Sequence, residues 1–430
     1  MYEGHPVRRH KENKEGVRRP SVEYLNNSNF FLTTFRVPRA PAGKPIVANA
    51  RPRRKGSGKM GLWANIARAL KFIPGILIML AIAVFAKGAE DFGCSWWRGV
   101  ETYLALDPVV RKWALDILHL NHVLICIIVG MLIRNTLDIP AWALPGIRTS
   151  RLFIKVGVIF LGSLYSIAEL ANIGTSALMI ILGFVFATLL FTLWLGQKLG
   201  MDSASASVLA AGLAICGVSA VVATAPAVRA RTTEVVYSIA TVLSFGVIFL
   251  FTFPAIGTLL GLSPYQFGAW AGTAILNTGQ VLAASLAFDP GTVAQPSVSL
   301  KIGQIFNLAR VLFLPFVVLL VAILYSREQV DEYDIKTGFW SRFPTFVLGF
   351  LAMVFLTSFG LLGPTDPPSR ELLFIRNLYS WFFAIGLAGL GMQISFAELR
   401  KAGGKPLLVG TVVALLKAVT ALAVVTLVIS

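Results

Sequence analysis

From Phe72 to the C-terminus the chain is a succession of apolar windows, each long enough to cross a hydrocarbon core of about 30 Å and each parted from the next by a short polar break. They fall at about 72–89, 115–134, 151–168, 174–198, 204–227, 233–260, 268–287, 300–325, 340–362, 373–395 and 405–429. In lipid the backbone must satisfy its own hydrogen bonds, which leaves helices and closed barrels, and windows of this length are helices. The expected class is an all-α polytopic membrane protein with about eleven membrane segments. Hydrophobic residue types make up 56% of the chain and charged types 14%, a balance that excludes a soluble globular enzyme.

The formal charge of +17 would ordinarily point to nucleic acid. Its location says otherwise. Residues 1–59 hold fourteen Lys/Arg against four Glu, with Pro, Gly, Asn and Ser and little helical periodicity, and read as a disordered basic tail able to touch anionic lipid headgroups. Residues 60–430 are expected to form the membrane domain; Met60 opens "MGLWANIARALKFIPG", a second natural start. The basic 134–155 loop (Arg134, Arg148, Arg151, Lys155) and the basic 398–405 loop (Arg400, Lys401, Lys405) fall on the tail's side, so the N-terminus is expected in the cytoplasm and the C-terminus outside. No nucleic-acid partner is expected.

Cys94, Cys126 and Cys216 are far apart and form neither a disulfide framework nor a zinc site. No nucleophile elbow, HExxH or phosphate loop occurs, and "GLAGLG" at 386–391 lies in an apolar span without a βαβ context. Neither an enzymatic activity nor a cofactor or metal is expected.

The chain also repeats itself. At an offset of 229, "LGSLYSIAELANIGT" (161–175) matches "LGMQISFAELRKAGG" (390–404) at seven of fifteen positions, among them Gly162, Ser166, Glu169 and Gly174. The copies are an odd number of segments apart, so they face opposite ways, an inverted repeat of the kind that places a transporter's site at the bilayer midplane. Glu169 and Glu398 read as caps of the repeat. His119 and His122, beside Asn121, read as packed histidines near the membrane surface.

Segments five and seven are unlike ordinary spans. Their centres, Cys216-Gly217-Val218-Ser219 and Asn277-Thr278-Gly279-Gln280, carry small, polar, helix-weakening residues where lipid-facing spans carry Leu or Ile. Unwound backbone at that depth requires protein or a watery cavity around it, so these two are the expected binding elements. They are either broken crossing helices or re-entrant hairpins; hairpins would keep the Arg229/Arg231 loop inside and enter from opposite faces. Segment eight adds Lys301, Gln304, Asn307 and Arg310 at three-residue spacing, which drifts around a helix, so the four cannot share one cavity. Lys301 fits an interfacial role. An intramembrane arginine is costly unless it meets an anion, a carboxylate or carbonyls, and Arg310 is open to either substrate contact or a carbonyl clamp.

On "AGLAICGVSAVVATAPAV" (211–228), "EVVYSIATVLSFG" (234–246), "FGAWAGTAILNTGQVLAA" (267–284) and "LARVLFLPFVVLL" (308–320) the chain resembles the YeiH-type family of bacterial inner-membrane proteins, usually labelled sulfate exporters. That family is distantly similar to bile-acid sodium symporters and sodium/proton antiporters, whose inverted repeats hold two broken helices that cross at the site. The resemblance implies the same here, in an inner membrane and often as a homodimer. Two departures stand out. Where the family carries His-Asp-Thr this chain has Leu276, Asn277 and Thr278, and where it has a lysine three before the arginine this chain has Asn307. Exchanging an acid and a base for asparagine keeps the local charge sum and removes a titratable pair, which bears on whether a sodium ion or a proton is the coupling ion.

The expected function is secondary transport of a small anion, sulfate or a related sulfur oxyanion, by alternating access. The expected substrate-binding residues are Cys216, Gly217, Ser219, Asn277, Thr278, Gly279, Gln280, Asn307 and Arg310. The alternatives are a sodium-coupled organic-anion transporter and a membrane sensor or assembly protein acting through its basic tail.

Overall fold

The structure, a computed structural model, describes residues 70–94, 96–117, 120–137, 139–325, 344–400 and 403–429. The basic tail, residues 1–59, and His119 lie outside them. The chain divides into units Met1–Lys55 and Gly56–Ser430, and every described residue belongs to the second.

Among the described residues the helices of seven residues or more number fourteen. The first four are α1 (Ile73–Lys87), α2 (His122–Thr136), α3 (Ser150–Leu161) and α4 (Ile167–Lys198). The central group is α5 (Ser203–Ala214), α6 (Val218–Thr224), α7 (Thr232–Leu259), α8 (Pro264–Ala274), α9 (Thr278–Phe288), α10 (Val298–Leu312) and α11 (Leu314–Tyr325). The last are α12 (Phe346–Ser358), α13 (Arg370–Gly391) and α14 (Gly404–Val428). Local chemistry sets several starts. Ser166 and Glu169 form a capping box at α4, Ser263 and Gln266 another at α8 with Pro264 at its first turn, and Asn277 caps α9 through Gly279 N–H. α4, α7, Val298–Leu324, α13 and α14 are each long and apolar enough to cross a membrane alone.

The windows at 204–227 and 268–287 do not cross; each reverses. In α8 and α9 the chain turns at residues 275–277, and Phe267 near one end stacks on Phe288 at the other with ring centroids 4.0 Å apart. A continuous helix would separate those rings by about 30 Å. In α5 and α6 the turn is at 215–217, and a Cβ on Gly212 would lie 2.7 Å from Val221 Cγ2, contact across a reversal. Both are re-entrant hairpins, in place of the broken crossing helices that the resemblance implied. Small residues make this possible, because the two arms approach closely only where side chains are short.

The hairpins enter from opposite faces, and α14 is the ruler. At its start Lys405 Nζ donates to Gly200 O (2.6 Å), at the base of the first hairpin; beyond its end Gln266 Nε2, at the base of the second, donates to Ile429 O (2.8 Å). Twenty-five helical residues, the length of α14, span about 37 Å, so the two bases are a membrane apart.

The inverted repeat is visible in packing. α3 and α13 run antiparallel, since Gln393 just past α13 donates to Ile147 O (3.0 Å) and Ser150 Oγ (2.6 Å) at the start of α3. A Cβ on Gly157 would meet the Phe383 ring at 2.5 Å, and one on Gly386 would meet Ile154 Cγ1 at 2.7 Å. Both 157 with 386 and 154 with 383 are 229 apart, so one contact is made twice about a pseudo-two-fold axis. Gly162 and Gly391, also 229 apart, each press on a backbone carbonyl of the helix that precedes the other copy, Phe350 of α12 and Ile127 of α2, although those two partners are 223 apart.

The two glutamates of the repeat sit at helix starts. Glu169 accepts from Ser166 N–H (3.1 Å) and pairs with Lys301 (3.6 Å); Glu398 pairs with Arg134 (3.4 Å). On the face that holds the base of the second hairpin, His122 Nδ1 lies 2.8 Å from Glu101 Oε2, and neighbouring Asn121 donates to Leu286 O near the end of α9. Burial alone would raise the Glu101 carboxyl, but hydrogen bonding to His122 and its charge outweigh that and hold it below its ordinary value of 4.5. A depressed carboxylate contributes stability that is present above the unfolded value and lost as pH falls through the folded one. Thermal unfolding in detergent should therefore show a loss of stability below about pH 4.5 that Glu101→Gln reduces; an identical acid limb in that variant would contradict the pairing.

Candidate functional site

The two turns meet. A Cβ on Gly217 would lie 3.0 Å from the Leu276 carbonyl oxygen and 2.9 Å from Val242 Cγ1, with φ at +70° and ψ at −122°. Only glycine takes that backbone and that proximity, which is why the tip of the first hairpin can press on the second. The level is the middle of the membrane, because Lys417 and Ala418, halfway along α14, touch the two hairpins at this depth: Lys417 Nζ donates to Leu213 O and Ala418 O accepts from Trp270 Nε1, both at 2.9 Å.

Each first arm ends at the midplane with carbonyls that the helix cannot satisfy and a partial negative charge. A buried cation answers each. Arg310, 1% exposed on α10, donates through Nη1 to Thr273 O (3.2 Å) and Ile275 O (2.6 Å), and through Nη2 to Asn307 Oδ1 (3.0 Å). Lys417, 4% exposed, does the same for Leu213 at the end of α5. Of the two roles open to Arg310, the structure places its Nη groups on hairpin carbonyls, as a clamp. Among the described residues the buried charged side chains are Arg310, Arg376 and Lys417; no Asp or Glu is buried.

The nine expected residues gather at this junction but differ in what they face. Ser219 is exposed, and Asn277 and Thr278 are half-buried. Asn277 Oδ1 is engaged by Gly279 N–H (3.1 Å), and Thr278 Oγ1 donates to Asn307 Oδ1 (3.3 Å). Asn307 Nδ2 continues to Gln304 Oε1 (3.4 Å), so the half-buried Thr278 joins the buried Asn307, Gln304 and Arg310 in one hydrogen-bonded chain behind the second tip. Cys216 and Gly217 are buried in the first tip. Gly279 packs on Leu390 of α13 and Ile154 of α3, at 2.9 and 3.2 Å from its would-be Cβ. Gln280 is fully buried against Gly246 of α7, turned away from the tip opening, with neither amide atom paired to protein.

Three cations here were missed or misplaced by sequence reasoning. Arg151 and Lys155 were counted as loop charge, yet both lie on α3, flanking the Ile154 that touches Gly279. Lys155 is exposed, with its Nζ 5.7 Å from the centre of the Phe346 ring, and Arg151 is half-buried. Lys417 went unremarked inside an apolar window. Its signal was available, since a lone lysine at the centre of "VVALLKAVTALAVV" demands a partner.

Paired re-entrant hairpins that meet at the midplane of an inverted-repeat helical body, beneath basic side chains, define an all-α polytopic membrane protein. Comparison with known proteins narrows this. A family model described as "Conserved hypothetical protein 698" matches residues 74–410. A "UPF0324 membrane protein" of Nitratidesulfovibrio vulgaris is 41% identical over 366 residues, covering 83% of this chain and 95% of that one. The "UPF0324 inner membrane protein YeiH" of Escherichia coli is 30% identical over 347 residues, covering 79% and 90%. The chain belongs to the UPF0324 family of membrane proteins, to which YeiH also belongs. No solved structure matches.

Proposed function

We propose that the protein is a secondary active transporter that moves a small anion by alternating access, with the anion held where the two hairpin tips face α3. The observation that carries this is electrostatic. The described residues place Arg310 and Lys417 at the tips with no carboxylate within ion-pair distance of either, and α3 brings Arg151 and Lys155 beside them. The C-terminal ends of α5 and α8 offset part of the clamp charge, while the N-terminus of α9 adds positive potential at Thr278 and Gly279. Such a site is hostile to cations and attracts anions. Hairpins entering from opposite faces supply two gates, one for each side.

The YeiH-type resemblance favours sulfate or a related sulfur oxyanion as substrate and export as the direction. The basic loops favour a cytoplasmic N-terminus in an inner membrane. Sodium and proton remain the coupling ions to compare. The test is flux of radiolabelled sulfate, sulfite and a taurine-derived anion into proteoliposomes holding the full chain. At least one should move saturably, and Asn277→Ala, which removes the cap of α9 worth about 1 kcal/mol, should slow it severalfold. If none moves and none raises the unfolding temperature, the reading fails.

A further inference from the structure

We infer that Lys417 is the positioning residue that holds the first hairpin shut, the counterpart of Arg310 at the second. The regular ladder of α5 ends at Ala211 O, and the next two carbonyls, Gly212 O and Leu213 O, take partners outside it. Ala211 O accepts from Ile215 N–H, Gly212 O from Gly217 N–H, and Leu213 O from Lys417 Nζ. The first two bonds come from the turn itself; the third comes from another helix and is the one that ties the tip to the body. The lysine is presented from a fixed place. Trp270 Nε1 bonds the next carbonyl of α14, Ala418 O, and Gly410 of the same helix packs on Thr241 of α7.

The symmetry of roles is the core of the inference. Arg310 reaches α8 from α10, and Lys417 reaches α5 from α14, so each hairpin has one cation bound to the carbonyl end of its first arm. Neither cation has a carboxylate within ion-pair distance among the described residues. A cation whose bonds to a hairpin are to the carbonyls of its tip acts as a latch, because opening that tip breaks those bonds. Removing Lys417 frees the first hairpin while the second stays latched by Arg310. This stands on hairpin geometry and does not require that the substrate be an anion.

The experiment reads each tip through a buried thiol in the full-length chain in proteoliposomes. Cys216, with Cys94→Ser and Cys126→Ala, reports the first tip; Ala274→Cys, with Cys216→Ala added, reports the second. Lys417→Ala should raise the rate at which a small charged thiol reagent labels Cys216 by about ten- to hundredfold, the scale of a lost hydrogen bond to a charged group, and change labelling at 274 by less than about threefold. Lys417→Arg should label like the parent. If Lys417→Ala does not fold, Lys417→Gln, which keeps a donor and loses the charge, should still label Cys216 at least about threefold faster. An unchanged Cys216 rate, or equal rises at both tips, would overturn the assignment. Absence of anion flux alongside selective labelling would count against the transport reading and leave the latch intact.

Discussion

Arg310→Ala should unlatch the second hairpin. The substitution leaves the Thr273 and Ile275 carbonyls and Asn307 Oδ1 without their charged donor at a site 1% exposed. Asn307 Oδ1 keeps its bond from Thr278, and the two buried carbonyls left unpaired cost about 1–3 kcal/mol each, so a loss of about 2–6 kcal/mol is expected locally, about thirtyfold or more in the population of the assembled tip. Anion flux should fall by that factor, and the unfolding temperature in detergent should drop. Arg310→Lys should be intermediate, because one ammonium cannot span two carbonyls and the Asn307 oxygen in the guanidinium's planar geometry. A fully active Arg310→Ala variant would mean that the clamp does not govern the tip.

Gly217→Ala should be as damaging, while Gly279→Ala, on the facing tip, should be mild. At Gly217 the backbone has φ +70°, and a methyl group would press on the Leu276 carbonyl at 3.0 Å, a backbone atom that cannot rotate away. Strain and overpacking together cost about 2–4 kcal/mol, and the relief available is to part the tips. At Gly279 the neighbours are the ends of Leu390 and Ile154 side chains, which can move, so a cost near 1 kcal/mol is expected. Comparing flux with the amount of folded protein separates a lost gate from lost folding. Equal effects at 217 and 279 would contradict the tip contact.

Much of this was legible without coordinates, for identifiable reasons. Chain length in lipid dictates helices, and the small, polar centres of segments five and seven marked the two elements that could not be lipid-facing. The offset of 229 that aligns Gly162 with Gly391 reappears as a pair of equivalent glycine contacts about an axis. What periodicity cannot report is reversal. Whether a helix weakened at its centre continues or doubles back is decided by contacts such as Phe267 on Phe288, twenty-one residues apart. Charges were misread for a related reason. Arg151 and Lys155 follow a polar, proline-containing loop and were counted with it, although α3 begins at Ser150 and carries both toward the midplane. Asn277 and Asn307 were grouped with Arg310 as one substrate contact set; within the protein Asn277 caps a helix and Asn307 bonds the arginine, two roles that residue type alone does not reveal.

The most direct test of an anion held between the tips is protection of Ser219→Cys from a charged thiol reagent, in a chain whose three native cysteines have been replaced, with and without sulfate. Ser219 is exposed beside the tips, so a bound anion should slow its labelling in a saturable way, while a cysteine at exposed Trp96, on the face of the Glu101–His122 pair, should be unaffected. Protection should weaken when Arg151 and Lys155 are both replaced by Gln. If sulfate, sulfite and the taurine-derived anion all leave labelling at 219 unchanged, or slow both positions alike, the tips do not hold an anion.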